Sequence, residues 1–353
     1  MPKHTSDNLR IKRKHLVWLK DAKGLSQSSI DKAAASIAIY DKWLKGKDYR
    51  AFHSERARAF KRHLQGLHNE RTGAPLSAAT INGVLRDVMK LFDWMADQPG
   101  YKSRISRADI AYLTPDRKSE QARRSTLWKP HPSPEQVRHL LSVMPGETEI
   151  QRRDRALITF LFLTGSREGA AITVRIRHVD LANKCVQFDG RSVDTKYGKS
   201  FTTSFFPFGD DIEQILRNWI RELRQDHLFS DTDPLFPKTR VAVGPSRRFE
   251  ALGIAREPWA GPSSVARIFK QAFIKAGLTP FSPHRVRDTI AELAKLHCRT
   301  PEDYKAWSQN MGHDYVMTTF SSYGSVSPGR QVELMGRFRR RGPLPDEDAV
   351  VHE

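Results

Sequence analysis

Residues 160–174 read FLFLTGSREGAAITV: two apolar helical segments, broken by Thr164-Gly165, with Arg167 at the start of the second. The apolar run from 156 to 163, interrupted only by Thr159, is far short of the ~20 residues a membrane span needs and reads as a buried helix. An arginine at a helix start stands beside exposed backbone N–H groups and is placed to grip an anion. Taken alone, it reads more simply as a surface arginine after a helix end.

Downstream of this break the pattern changes period. The β-prone runs KCVQFDG (184–190) and SFTTSFF (200–206) flank RSVDTKYGK, a turn around Tyr197-Gly198 that carries Lys196. Helical signals resume at 210–225, 262–277, 284–296 and 301–311. The stretch 237–261, rich in Pro, Gly and Arg, is expected to be an irregular insertion, so the second half is helical with one strand interruption. Upstream, SPEQVRHLL opens a helix with Ser133 as cap, Pro134 at the first position and Gln136 completing a capping box.

The first half is a series of short amphipathic helices over 8–112. LSQSSIDKAAASIAIYDKWL (25–44) starts on the candidate caps Ser26 and Ser28 and keeps Ile30, Ile37, Tyr40, Trp43 and Leu44 largely on one face. LSAATINGVLRDVMKLFDWMADQPG (76–100) is capped by Ser77, striped by Ile81, Leu85, Val88, Phe92 and Met95, and stopped by Pro99-Gly100. Lys and Arg punctuate the other faces. The expected division is a helical domain over 1–113, a polar, proline-flanked linker over 114–132, a second domain over 133–340 and a tail over 341–353. The last ten or so residues, an acidic tip after an Arg cluster, are expected to be mobile or docked on a partner.

The 353 residues carry a formal net charge of +19, which favours a polyanionic partner, nucleic acid first; ribosomal RNA and anionic lipid are the plainer alternatives. Cys185 and Cys298 are the two cysteines and form no CxxC pair, so neither a disulfide framework nor a structural zinc site is expected. MPKHTSDNLRIKRKH lacks the apolar core of a signal peptide, and a cytoplasmic, nucleoid-associated protein is expected.

SPHRVRDTIAELA places His284 and Arg287 three apart at a helix start, on one face. The same spacing recurs at His53–Arg56 and His68–Arg71, so by itself it carries little weight. MGHDYVMTTFSSYG (311–324) adds Gly312-His313, Tyr315 and Tyr323. Each signal is weak, but the order Arg167, Lys196, His284-x-x-Arg287, Gly312-His313, Tyr323 resembles the tyrosine recombinase (phage integrase) family. The LSxxTI helix is similar to that family's core-binding domain, and IRHVDLANKCVQF (176–188) resembles the approach to its hairpin. The likeness spans about 8–335.

The resemblance implies a mainly α fold. A helical (SAM-like) core-binding domain would precede an α-rich catalytic domain with a small antiparallel β-sheet or hairpin. It implies cleavage and rejoining of DNA through a 3′-phosphotyrosine, without cofactor or metal. Arg167, Arg287 and His313 would hold the phosphate, His284 would take the tyrosine proton and Lys196 would protonate the leaving 5′-oxygen. The nucleophile is expected to be Tyr323, ten residues after His313; Tyr315, two residues after it, is too close to converge on the same phosphate. The implied partners are a double-stranded DNA core site and further copies of the chain, a dimer on a site and a tetramer in synapsis. Sister recombinases or accessory DNA-bending factors are compatible with it, and a role in a mobile genetic element fits. One departure stands out: the acidic residue usual three positions after the first arginine is Ala170 here, and Glu168 lies roughly 100° around a helix from Arg167. The competing readings are a non-catalytic DNA-binding protein of the same fold and a type IB-like topoisomerase.

Overall fold

The computed structural model describes residues 3–70, 72–115, 130–243, 247–313 and 328–340. Most of the expected linker and the tail from 341 onward lie outside the described residues. Two compact units divide the chain, Met1–Ser125 and Thr126–Glu353.

The first unit contains α1 (Lys3–Asp21), α2 (Gln27–Leu44), α3 (Ser54–Gln65), α4 (Ala78–Met95) and the short α5 (Arg107–Ile110). The stripe expected on α4 is its inner face: Leu85, Val88, Phe92 and Met95 are buried, and Ile81 packs at the margin. Tyr40 of α2 meets Phe60 and Phe92 edge-on, at 4.8 and 5.4 Å between ring centroids. Each such ring, fully buried, contributes about 1.5–3 kcal/mol. Ser77 caps α4 through the Thr80 N–H. Ser26 occupies the equivalent position on α2, but its hydroxyl turns to those of Ser28 and Ser29 instead of the backbone.

The second unit opens with α6 (Pro134–Val143), whose capping box between Ser133 and Gln136 is present as expected. Then comes α7 (Glu149–Thr164), started by a second box between Thr148 and Gln151. Every residue of α7 from Ala156 to Thr164 is buried, which explains why the run reads apolar on all sides. Next come α8 (Glu168–Thr173), β1 (Val179–Asp180), β2 (Cys185–Phe188), β3 (Phe201–Ser204) and α9 (Asp210–Gln225). Two further strands, β4 (Thr239–Val243) and β5 (Phe249–Ile254), precede α10 (Ser263–Lys275), α11 (Arg285–His297), α12 (Pro301–Asn310) and α13 (Pro328–Arg340). The core is built on Phe160, Phe162, Phe188, Phe206, Phe236 and Phe269.

The small antiparallel sheet is present: β2 and β3 form the hairpin, and the two-residue β1 adds a third strand by pairing Val179 with Val186 and Asp180 with Cys185. One expectation needs correction. The stretch 237–261 is not irregular: β4 and β5 form an antiparallel ribbon, with Val243 opposite Phe249 and Val241 opposite Ala251. Val241, Val243 and Phe249 all face solvent. Only its Gly253–Ile254 end packs inward, so the ribbon shows no sustained apolar–polar alternation to betray it.

Three contacts hold β3 where the site needs it. The Phe206 N–H donates to Leu163 O at 2.8 Å, tying the strand exit to the end of α7. Asn310, the last residue of α12, accepts from the Ser204 N–H at 2.7 Å and donates to Ser204 O at 2.8 Å. The chain leaving α12 toward His313 is thereby pinned to the sheet.

Candidate active site

Gly165 ends α7 in the left-handed region, φ 60°, and its N–H closes on Leu161 O at 2.8 Å. The reversal puts Arg167 at the N-cap of α8. Arg287 comes from the first turn of α11 and is buried, 7% exposed. Its guanidinium donates to Gly165 O, to Met311 O at 2.8 Å and toward Nε2 of His313. One side chain thus ties together the end of α7, the head of α11 and the turn after α12. A ring nitrogen facing a guanidinium accepts, which puts the His313 proton on Nδ1.

Arg167, Lys196, Arg287 and Met311 line one cleft with Ala170 in its wall. Lys196 itself is exposed, its ammonium 4.8 Å from the ring centroid of Tyr197. Ser166 and Thr195, each one residue before a cation, line the same cleft with buried hydroxyls that lack a partner among the described residues. Sequence reading passed over both, since a serine and a threonine in basic loops carry no pattern of their own.

The electrostatics of this cleft are those of a site awaiting an anion. Burial first, then the nearby Arg167 charge, lowers the pKa of Arg287 to about 10, with Asp288 opposing. The group is still cationic at neutral pH, so the free protein holds two guanidinium charges close together in a partly desolvated place. An anion held between them would offset both penalties.

His284 stands at the N-cap of α11, three residues from Arg287, with an exposed face and no capping hydrogen bond. It does not line the cleft itself. The protein packed around its ring lowers its pKa below 6.5; Asp288 opposes, Arg287 and Arg285 add to the shift, and Glu168 opposes weakly. A lowered value leaves the ring neutral, and able to accept a proton, at pH 7. Ala170 is buried, so no carboxylate reaches the cleft wall at that position. Of the other His-x-x-Arg pairs, His53 and Arg56 lie in the first unit, and Arg71 falls outside the described residues. Tyr315 and Tyr323 also lie outside the described residues.

Gly312 shows why a glycine precedes His313. Its φ is 69°, and a β-carbon there would lie 2.8 Å from the Phe201 ring. For the DNA cleavage that the sequence resemblance implies, Gly312→Ala is expected to push His313 away from Arg287 and slow that step about 10²-fold, since a 1 Å misplacement can cost that much. Single-turnover cleavage measures it; an unchanged rate would mean that His313 needs no such placement.

This arrangement, two arginines from separate elements with a histidine against one of them, sits within the region that matches the phage integrase family, residues 133–329. The chain belongs to that family. Among curated relatives it is 24% identical over 327 residues to tyrosine recombinase XerD of Ralstonia nicotianae, covering 92% of each chain. It is 23% identical over 307 residues to the ICEBs1 integrase of Bacillus subtilis, covering 85% of this chain and 74% of the integrase. The fold is that of a lambda integrase(75–356) dimer bound to a COC′ core site, with a TM-score of 0.62 at 14% identity over 89% of this chain and 94% of that one. XerH recombinase in a post-cleavage complex with palindromic difH gives 0.60 at 16% identity, covering 91% of this chain and 82% of that one. Among the described residues no helix is long and apolar enough to cross a membrane.

Proposed function

We propose that the chain is a site-specific DNA recombinase or integrase that cuts and rejoins strands through a covalent 3′-phosphotyrosine on Tyr323. The observation that carries the reading is the buried Arg287 guanidinium, held beside Arg167 and against His313 in a cleft that Lys196 also lines. Arg167 and Arg287 bind the non-bridging oxygens, where charge accumulates as phosphorus becomes pentacoordinate, and His313 donates to the same oxygens. The Tyr323 oxygen attacks phosphorus and its proton passes to His284. The bond from phosphorus to the 5′-oxygen breaks, and Lys196 protonates that oxygen. A 5′-hydroxyl from a second duplex then reverses these steps on the tyrosyl ester. Phosphodiester energy is conserved in the ester, so the reaction draws on no nucleotide.

The partners on this reading are a duplex core site and further copies of the chain, two on a site and four in synapsis. The first unit, 1–113 in the sequence division, binds DNA together with the catalytic domain over 133–340, and the site of action is the cytoplasm. Selection from random duplexes recovers the core site, and a nicked version of it traps the covalent intermediate. A covalent protein–DNA band is expected, with EDTA present as well. A plasmid bearing two sites is expected to show exchange; no adduct would overturn the enzyme reading, and relaxation without exchange would favour a topoisomerase.

A further inference from the structure

Lys196 sits on an open turn whose outer side is loose: Tyr197 is 89% exposed with φ 63°. The inner side is not. Val193 is buried in the core, and the Asp194 N–H donates to Thr173 Oγ1 at 2.8 Å. That same hydroxyl donates to Gly169 O at 2.8 Å, so Thr173 bridges α8 and the turn with one oxygen. The Asp194 side chain lies over Gly169: a β-carbon there would sit 2.7 Å from Oδ2, the movable end of an exposed carboxylate, and at an ordinary 3.5 Å from Asp194 O. The helix gripped in this way is the one Arg167 caps.

We infer that the Thr173 hydroxyl, held between Gly169 O and the Asp194 N–H, is a latch that positions Lys196 against the cleft, making Thr173 a positioning residue for the leaving-group step. The latch fixes the stem of the lysine turn to the helix that presents Arg167, so proton donor and phosphate ligand share one frame. Without it, the flexible side chain of Lys196 searches a larger volume, and the 5′-oxygen waits for its proton. The inference rests on the reading of Lys196 as the general acid.

The test compares two nicked core-site duplexes, one ordinary and one with sulfur replacing the bridging 5′-oxygen, whose thiolate leaves without a proton. Thr173→Val removes the bridging hydroxyl and Thr173→Ser keeps it. Thr173→Val is expected to slow cleavage of the ordinary duplex about tenfold or more, but that of the sulfur duplex less than about twofold. Thr173→Ser is expected to behave like the parent. Equal losses on both duplexes, or no loss on either, would overturn the latch's role. In the free protein, trypsin cleavage after Arg191, Lys196 or Lys199 is expected to accelerate in Thr173→Val; an unchanged rate overturns the latch itself. Lys196→Ala run alongside separates the two readings: if sulfur does not rescue it, the acid assignment fails and the trypsin result alone judges the latch.

Discussion

Tyr323→Phe is expected to abolish the covalent protein–DNA adduct while leaving DNA binding within about twofold of the parent. On the proposed mechanism, removing that phenolic oxygen deletes the nucleophile, and losing the nucleophile of an assembled site costs on the order of 10⁴-fold or more. Affinity is set by the many cations on phosphates, which this substitution does not touch. Tyr315→Phe is the control and is expected to keep the adduct. Denaturing gels of the trapped nicked duplex read both. A surviving adduct in Tyr323→Phe would move the nucleophile elsewhere.

Arg287→Ala is expected to slow cleavage by at least about 10²–10³-fold, the cost of losing one preorganised transition-state donor. The true loss is expected to be larger, because the side chain also holds Gly165 O, Met311 O and His313 in register. Arg287→Lys preserves charge but not the fork, and an ammonium cannot span three segments; it is expected to remain at least about tenfold slow. Burial depresses the Arg287 pKa to about 10, so its charge is complete below that value and is lost only as pH rises through it. Cleavage is therefore expected to be flat between pH 7 and 9 as far as Arg287 is concerned. Single-turnover rates across that range check both points, and an Arg287→Lys variant at full rate would refute the fork.

Local chemistry was legible in the sequence. The Ser133–Gln136 box, the Ser77 cap and the α4 stripe are each written in residues a few positions apart, and each is present. The lysine turn was visible because Tyr197-Gly198 sits between two β-prone runs, and both residues adopt positive φ. Tertiary facts were not legible. His284-x-x-Arg287 differs from its copies in sequence only by its setting, Ser-Pro before it and an apolar helix after it; what sets Arg287 apart in the fold is burial against carbonyls 122 and 24 residues away. Thr173 looked like an ordinary threonine in a short helix; its meaning comes from the Asp194 N–H, which only the fold brings to it. The ribbon of β4 and β5 was missed because most of its apolar residues face outward.

The claim that this cleft exists to hold a phosphate while a tyrosine attacks it is tested most directly by locating the bond. The trapped wild-type adduct is digested with nuclease and protease, and the peptide carrying the residual nucleotide is sequenced. The account predicts the nucleotide on Tyr323, linked through its 3′-phosphate. A nucleotide on Tyr315 or any other residue, or linkage through a 5′-phosphate, would contradict it.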